Sequence, residues 1–264
     1  MKNNIVKLKD ITFFIPIKID TVNRLENLLA VTEFLLKYFD TNINVWEYGC
    51  WNNNILSKLL PKEVTYRFVE DYDPIFHRTR YINDMIKRCN TPYISLWDTD
   101  IIVSPRQVVE AVDLLKKGEA DFVTPYKDKF LDTSFIIREL YLKVRDIDVL
   151  EKNIGKMNEL YNPDPVGGVF FAGTDAYVSS GMENENFYGW GREDGERVNR
   201  WRILGYKHKH VLGPLFHLSH ERGENSRFHS PSQNDIKYSE LLRIVSMSKE
   251  ELNNEIKAWK RTQA

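Results

Sequence analysis

Asp98-Thr99-Asp100 sits directly behind the apolar run Tyr93–Trp97, and that position gives the two carboxylates a chemical meaning. Ligands of open α/β sheets bind at the carboxyl ends of strands. Paired acids at the end of an apolar strand call for a counter-ion. A divalent cation is the natural one, because a hard ion takes carboxylate oxygen and can also neutralise a diphosphate. A solvated turn that caps the next helix is the competing explanation, and the D-x-D spacing alone does not choose between them. His217-Leu218-Ser219-His220 offers a second pair of ligands. Histidines three apart converge on one ion from a helical turn, whereas on a strand they face opposite sides. The pattern is not HExxH, so the general base of a zinc protease is missing. His208 and His210 read as strand-edge residues without a role.

The third constellation is Phe187-Tyr188-Gly189-Trp190-Gly191-Arg192-Glu193-Asp194-Gly195-Glu196. Glycines on both sides of Trp190 let the backbone approach a neighbour closely and leave the indole as a platform for a sugar ring. Glu193 and Asp194 fall in the first turn of the following helix, where the dipole favours negative charge, so helix capping explains them equally well. The segment is not a dinucleotide fingerprint, because it lacks the third glycine and a preceding βαβ unit.

These residues need elements to hold them. Residues 11–17 read as a buried strand, 23–39 as a helix with leucines near one face, 43–48 as a second strand and 64–69 as a third. Residues 75–88 read as a helix, Tyr93–Trp97 as a fourth strand and 122–125 as another. Between them Ser104-Pro105 opens a helix that Gly118 closes. This β-α-β-α rhythm predicts an α/β fold with a mostly parallel sheet and helices on both faces. The second half is less regular. Residues 133–160 read as long helical material with a break near Gly155, 169–171 and 176–178 as strands, 193–204 as a helix and 211–218 as a strand. Ser248 with Glu251 forms a capping box before a C-terminal helix.

The 264 residues suit one large α/β domain, and 42% hydrophobic with 12% aromatic residues suits a packed core rather than disorder. A formal charge of −1 provides no global field toward nucleic acid or acidic lipid. Cys50 and Cys89 form neither a disulfide framework nor a CxxC pair, which fits a reducing compartment. No run approaches the roughly 20 apolar residues of a membrane span, so a cytoplasmic location is expected. Lys257-Ala258-Trp259-Lys260-Arg261 sets an aromatic among cations, a pattern compatible with peripheral contact to an anionic membrane or with an ordinary solvated helix end.

The motifs occur in one order: DxD, then GG, then WGxEDxE, then HxxH. In that order the chain resembles the β-1,4-galactosyltransferase group on the GT-A fold, over roughly residues 11–228. GGV followed by NFYGWGREDGERVNR resembles that family's GGV and NFWGWGGEDDD…NR. Phe76-His77-Arg78 with Asn83 resembles its F-N-R…N segment, and His217-Leu218-Ser219-His220 its M-I-R-H metal element. The resemblance implies a single GT-A domain over 1–264, with a nucleotide-binding half at 1–125, a donor, acceptor and catalytic half at 126–232, and C-terminal helices at 233–264. It implies Asp100, His217 and His220 as metal ligands. Pro16, Lys18, Glu47, Phe76, Arg78, Asp98 and Gly168 become donor and nucleotide contacts. Trp190 bridges donor and acceptor, Asp194 is the catalytic base, and Glu193 beside it positions the acceptor. Three departures stand out. Gly195 replaces the third acid of GGEDDD, and Pro165 and Val166 replace aromatic residues before the glycine pair. The vertebrate members of the family carry a Golgi anchor and disulfides; with two cysteines and neither feature expected here, the bacterial branch is the expected match.

The expected chemistry is inverting transfer of a hexose or N-acetylhexosamine, galactose or N-acetylgalactosamine favoured, from a UDP-sugar to a glycan hydroxyl. The setting would be surface polysaccharide synthesis, with an acceptor that could be lipid-linked. Mixed oxygen and imidazole ligation suits Mn²⁺ better than Mg²⁺. A nucleotidyltransferase would need a glycine- and lysine-rich phosphate loop that residues 14–24 do not provide. A non-catalytic glycan-binding module using Trp190 and Trp201 would leave the acids and histidines unexplained.

Overall fold

The apolar residues at 11–17 are the inner part of a longer strand, β1 (Val6–Ile17), in a computed structural model that describes residues 5–262 apart from 128 and 162. At 224 and 260–262 it describes the backbone only. Alternate residues of β1 serve two cores. Phe13, Ile15 and Ile17 pack with Leu28 and Val31 of helix α1 (Val22–Tyr38), while Phe14 packs with Tyr81 and Ile82 on the other face. A strand buried on both faces reads as a continuous apolar run, which is why no alternation marks it.

β2 (Phe39–Gly49), α2 (Ile55–Leu59), β3 (Val64–Glu70), α3 (Arg78–Ile86) and β4 (Tyr93–Trp97) follow in turn. β5 (Ile101–Val103) comes next, then α4 (Pro105–Lys116) and β6 (Phe122–Thr124). Ser104 and Gln107 close a capping box at the start of α4, and Gly118, at φ 68°, ends its last turn. The second half contributes β7 (Phe130–Asp132), α5 (Phe135–Val144), α6 (Asp148–Glu151), β8 (Asn158–Leu160), β9 (Val169–Gly173) and α7 (Thr174–Ser179). α8 (Glu193–Leu204), β10 (His208–His210), β11 (Leu215–His217), α9 (Pro231–Val245) and α10 (Lys249–Thr262) complete the order.

Among the described residues, seven strands form the main sheet in the order β10-β6-β9-β4-β1-β2-β3. β1 runs parallel to β2 and β4, and β2 to β3, while β9 is antiparallel to both its neighbours. α1 and α4 cover one face, and α3, α7 and α8 the other. The expected mostly parallel sheet with helices on both faces is therefore present.

A second sheet, β5-β11-β7-β8, was not legible in the sequence. It overturns the reading of 133–160 as helix alone. α5 stops at Arg145, which takes a left-handed φ of 53°, and Asn158–Leu160 pairs antiparallel with β7. Residues 176–178, expected as strand, lie in helix α7, since β9 ends at Gly173 and Tyr177 turns in to donate to the buried Glu183 carboxylate at 2.8 Å. The strand expected at 211–218 shrinks to three residues, Leu215–His217. The C-terminal capping box forms as expected, with Ser248 N–H donating to Glu251 at 2.8 Å. α10 packs its Leu252 and Ile256 against Leu204 of α8 and Ile244 of α9. Trp259 joins that cluster half-buried, donates to Glu255 at 3.0 Å and lies under the Arg200 guanidinium. The side chains of Lys260 and Arg261, the other part of the cationic pattern, lie outside the described residues.

Candidate active site

The second sheet explains how Asp100 meets two histidines. β5 begins one residue after Asp100 and pairs antiparallel with β11, setting His217 opposite Ile101. Leu218 N–H then donates to the Asp100 carbonyl at 2.7 Å, so the chain leaves the strand alongside the D-T-D turn. His220 is thereby returned to the same side as His217, by neither a helical turn nor a continuous strand. His220 Nε2 lies 3.2 Å and His217 Nε2 3.8 Å from Asp100 Oδ2, and one ligand atom from each residue falls within 4.8 Å of the others. Both rings are aimed from behind. His217 Nδ1 meets Asp132 Oδ1 at 2.7 Å, and His220 Nδ1 meets the Glu221 carbonyl at 2.8 Å. A carboxylate behind a ligating imidazole fixes its tautomer and orientation. Burial opposes charge on Asp100, but His217, His220 and Arg24 outweigh it and hold the carboxyl far below its usual range. Burial likewise opposes protonation of His217, yet Asp100 and Asp132 reverse the sign and raise it. Such a concentration of charge and donors fits a divalent cation, with one carboxylate and two imidazoles to hold it.

This triad opens into a cavity of about 500 Å³ that also takes in Pro16, Phe76, Arg78, Asp98, Gly168, Trp190, Glu193 and Asp194. Arg78 links its parts. The guanidinium donates to Asp98 Oδ1 at 2.7 Å, and its Nη1, 3.9 Å from Asp194 Oδ1, is buried without a hydrogen-bond partner. Asp194 Oδ1 also accepts from Arg197 at 2.5 Å, and Arg197 is anchored in turn on buried Glu183 at 2.8 Å. Asp194 Oδ2 accepts no hydrogen bond from the described residues and rests on Gly167, where a Cβ would come within 2.6 Å of it. Glu193 is only 6% exposed, and its Oε2 is buried without a partner. Burial, reinforced by Asp194 and countered by Arg78, pushes its carboxyl up to about 7. Two adjacent acids thus differ in character: Asp194 is ion-paired, and Glu193 is desolvated.

Trp190 reaches the cavity from a loop whose left-handed backbone favours glycine on both sides of it. Gly189 and Gly191 take φ of 72° and 104°, and a Cβ on Gly191 would meet the Phe228 ring at 3.1 Å. The half-buried indole stands edge-on to Phe228 at 5.2 Å between centroids. Its carbonyl accepts from buried Lys237 Nζ of α9 at 2.6 Å.

No protein-family model matches the chain, and comparison with curated proteins gives no match. Solved structures do match. The catalytic domain of Drosophila beta1,4-galactosyltransferase 7, in complex with xylobiose, superposes with a TM-score of 0.55 at 15% identity, over 89% of this chain and 80% of that one. A mutant of the same enzyme in complex with manganese, UDP-Gal and xylobiose gives 0.55 at 14% identity, over 88% and 79%. Glucosyl-3-phosphoglycerate synthase from Mycobacterium tuberculosis, with Mn²⁺, UDP and phosphoglyceric acid, gives 0.53 at 15% identity, over 90% and 78%. The chain has the GT-A fold.

On this GT-A frame, most residues singled out from the sequence share the one cavity, and two do not. Lys18 turns away to donate to the carbonyls of Asp73 and Pro74, tying down the loop before α3. Glu47 is buried and accepts from Tyr66 Oη at 2.6 Å. Neither is among the residues that line this cavity. Sequence reasoning missed Asp132, Arg197, Gly167, Tyr126, Arg24 and Arg192. Tyr126 donates to the Gly167 carbonyl at 2.7 Å and so steadies the glycine beneath Asp194. The Arg197 spacing, three residues after Asp194 on a helix, is a visible i,i+3 signal. Asp132 carries none, because it lies 85 residues from His217.

Proposed function

We propose that the protein is a metal-dependent glycosyltransferase that moves a sugar from a UDP-sugar to a glycan hydroxyl with inversion. The observation that carries this reading is the union, in one cavity of a GT-A fold, of the Asp100–His217–His220 triad with Trp190 and the Glu193–Asp194 pair. The solved neighbours that bind manganese with UDP-Gal, or Mn²⁺ with UDP, support the choice of donor and ion. Asp100, His217 and His220 would hold the ion, Mn²⁺ or Mg²⁺. The bound ion supplies charge neutralisation for the departing diphosphate. Arg24, which lines the same cavity beside this cluster, adds a fixed positive charge.

Asp194 removes the acceptor proton. Its Oδ1 is occupied by Arg197, so Oδ2, resting on Gly167, is the oxygen open to a hydroxyl. The acceptor oxygen attacks the anomeric carbon as its proton passes to Asp194, and the bond to UDP breaks with its electrons leaving on the diphosphate. A single displacement inverts the centre and requires no nucleophilic side chain. Trp190 offers the acceptor ring a stacking face, and Glu193, whose carboxyl burial pushes up to about 7, positions a hydroxyl. Asp98, Arg78, Phe76, Pro16 and Gly168 form the donor wall. In this reading residues 1–125 serve the nucleotide, 126–232 the sugars and chemistry, and 233–264 supply C-terminal helices, of which α9 and α10 pack against α8 through Ile244, Leu252 and Ile256.

Pro165 and Val166 line the cavity where the family resemblance has aromatic residues, which leaves room beside the donor C2. Galactose or N-acetylgalactosamine is the donor sugar we favour, with UDP-N-acetylgalactosamine used at least as well as UDP-galactose. Surface polysaccharide synthesis in a bacterial cytoplasm, on an acceptor that is free or lipid-linked, completes the proposal. No helix among the described residues is long and apolar enough to cross a membrane. Peripheral membrane contact through the C-terminal cations is tested by liposome flotation after deletion beyond Lys257. The deciding experiment for the activity is a UDP-sugar screen for Mn²⁺-stimulated UDP release. Release from at least one UDP-hexose or UDP-N-acetylhexosamine is expected, and none from any donor would sink the proposal.

A further inference from the structure

Arg192 stands at a place that does not suit an arginine. Its backbone is left-handed, φ 73° and ψ −14°, at the residue preceding α8, and it makes no side-chain capping bond there. Glycine takes that conformation without strain, and the motif this segment resembles, GWGGED, has glycine at the position. The strain is retained together with a long cationic side chain. Arg192 lines the cavity beside Trp190, and both side chains lie against the same Phe228 ring. The guanidinium is held in place without being neutralised. Nε and Nη2 donate to Asn234 Oδ1 at 3.1 and 2.8 Å, and the plane lies 4.9 Å from the Tyr238 centroid. Among the described residues no carboxylate pairs with it. The adjacent Asp194 is engaged by Arg197 and Arg78 instead.

We propose that Arg192 is a specificity residue that recognises an anionic substituent, a carboxylate or a phosphate, on the acceptor sugar. An arginine held by a neutral amide and an aromatic face keeps its full charge and pre-formed donors for an incoming anion. Its position next to the stacking indole places that anion on the acceptor rather than on the donor diphosphate, which belongs with the Asp100 cluster. Burial of Glu193 also lessens repulsion, since its carboxyl is pushed up to about 7. This inference rests on the proposed acceptor side of the cavity and extends it to a chemical class of acceptor.

The test is binding, which needs no turnover. Methyl β-glucoside, methyl β-glucuronide and methyl β-glucoside 6-phosphate are titrated against the full chain with UDP and Mn²⁺ present, by saturation-transfer NMR. One of the anionic sugars should bind at least about tenfold tighter than the neutral one, the size of a single charge-assisted hydrogen bond. The arm that wins separates carboxylate from phosphate. Arg192→Gln should erase the preference, and Arg192→Lys should retain part of it. Equal binding of all three sugars by the parent overturns the proposal, as does a preference that survives Arg192→Gln. An equal loss of neutral and anionic sugars in Arg192→Gln, or binding of none by the folded parent, overturns it as well. An anionic preference without UDP release from any donor would instead refute the transferase reading and leave Arg192 as an anion site.

Discussion

Glu193→Gln should stabilise the metal-free protein, and more so as pH rises. In the folded chain the Glu193 carboxyl titrates at about 7 against an ordinary value of 4.5, chiefly because the side chain is buried. Its Oε2 has no hydrogen-bond partner to offset that burial. Below 4.5 both folded and unfolded chains carry the proton, and the group is neutral with respect to stability. Between 4.5 and 7 the unfolded chain ionises first, the folded chain holds the extra proton, and stability falls as pH rises. Above 7 the whole cost of a buried charge is present. A displacement of this size corresponds to about 3 kcal/mol in total. Roughly 2–3 kcal/mol of it falls between pH 5 and 8. Glutamine keeps the shape and cannot ionise. The assay is urea unfolding of parent and variant at pH 5, 6, 7 and 8. Any constant offset from the amide's own hydrogen bonding cancels in the pH-dependent difference. The variant should gain relative to the parent by about 2–3 kcal/mol over the range. A flat difference, or one of opposite slope, would show that Glu193 is ionised throughout as a partner of Arg78, and the argument from burial would fall.

Three further outcomes follow from the same geometry. Asp100→Ala or His220→Ala should abolish Mn²⁺-dependent UDP binding in calorimetry while the fold persists, and parent-like binding in either would dismantle the assigned site. Asp194→Asn can still accept from Arg197, so melting temperature should hold while single-turnover transfer falls by about 10²–10⁴-fold. A lowered melting point with near-normal transfer would make Asp194 a helix-terminal charge and move the search for the base to Glu193. Gly167→Ala puts a methyl 2.6 Å from Asp194 Oδ2 and should displace it, with transfer falling on the order of 10²-fold. Unchanged transfer in that variant would show that the position of Asp194 does not matter to the reaction.

Several elements were legible because their signals are local. The strand at Tyr93–Trp97, the capped helix after Ser104 and the helix Glu193–Leu204 lie where the sequence puts them, since apolar runs and caps act over a few residues. The short strands Ile101–Val103, Phe130–Asp132 and Asn158–Leu160 were not legible. Three residues carry no period, and their stability comes from partners distant in the chain.

The candidate site divides in the same way. By itself the sequence determined which groups could do chemistry: the acids of D-T-D, the histidines of H-L-S-H, and the glycine-flanked Trp190 before Glu193 and Asp194. Tertiary structure decided how they meet and in what state. Pairing of β5 with β11 brings Asp100 beside His217, and the departure of the chain after Leu218 returns His220 to the same point. It also removed Lys18 and Glu47 from the cavity, because backbone carbonyls and Tyr66 take up their polar groups. Glu193 and Asp194 are adjacent carboxylates in the sequence and differ in the fold, one desolvated and the other ion-paired. Residue type fixes what a group can do. Burial and the charges around it, supplied by segments far along the chain, fix which of those things it does.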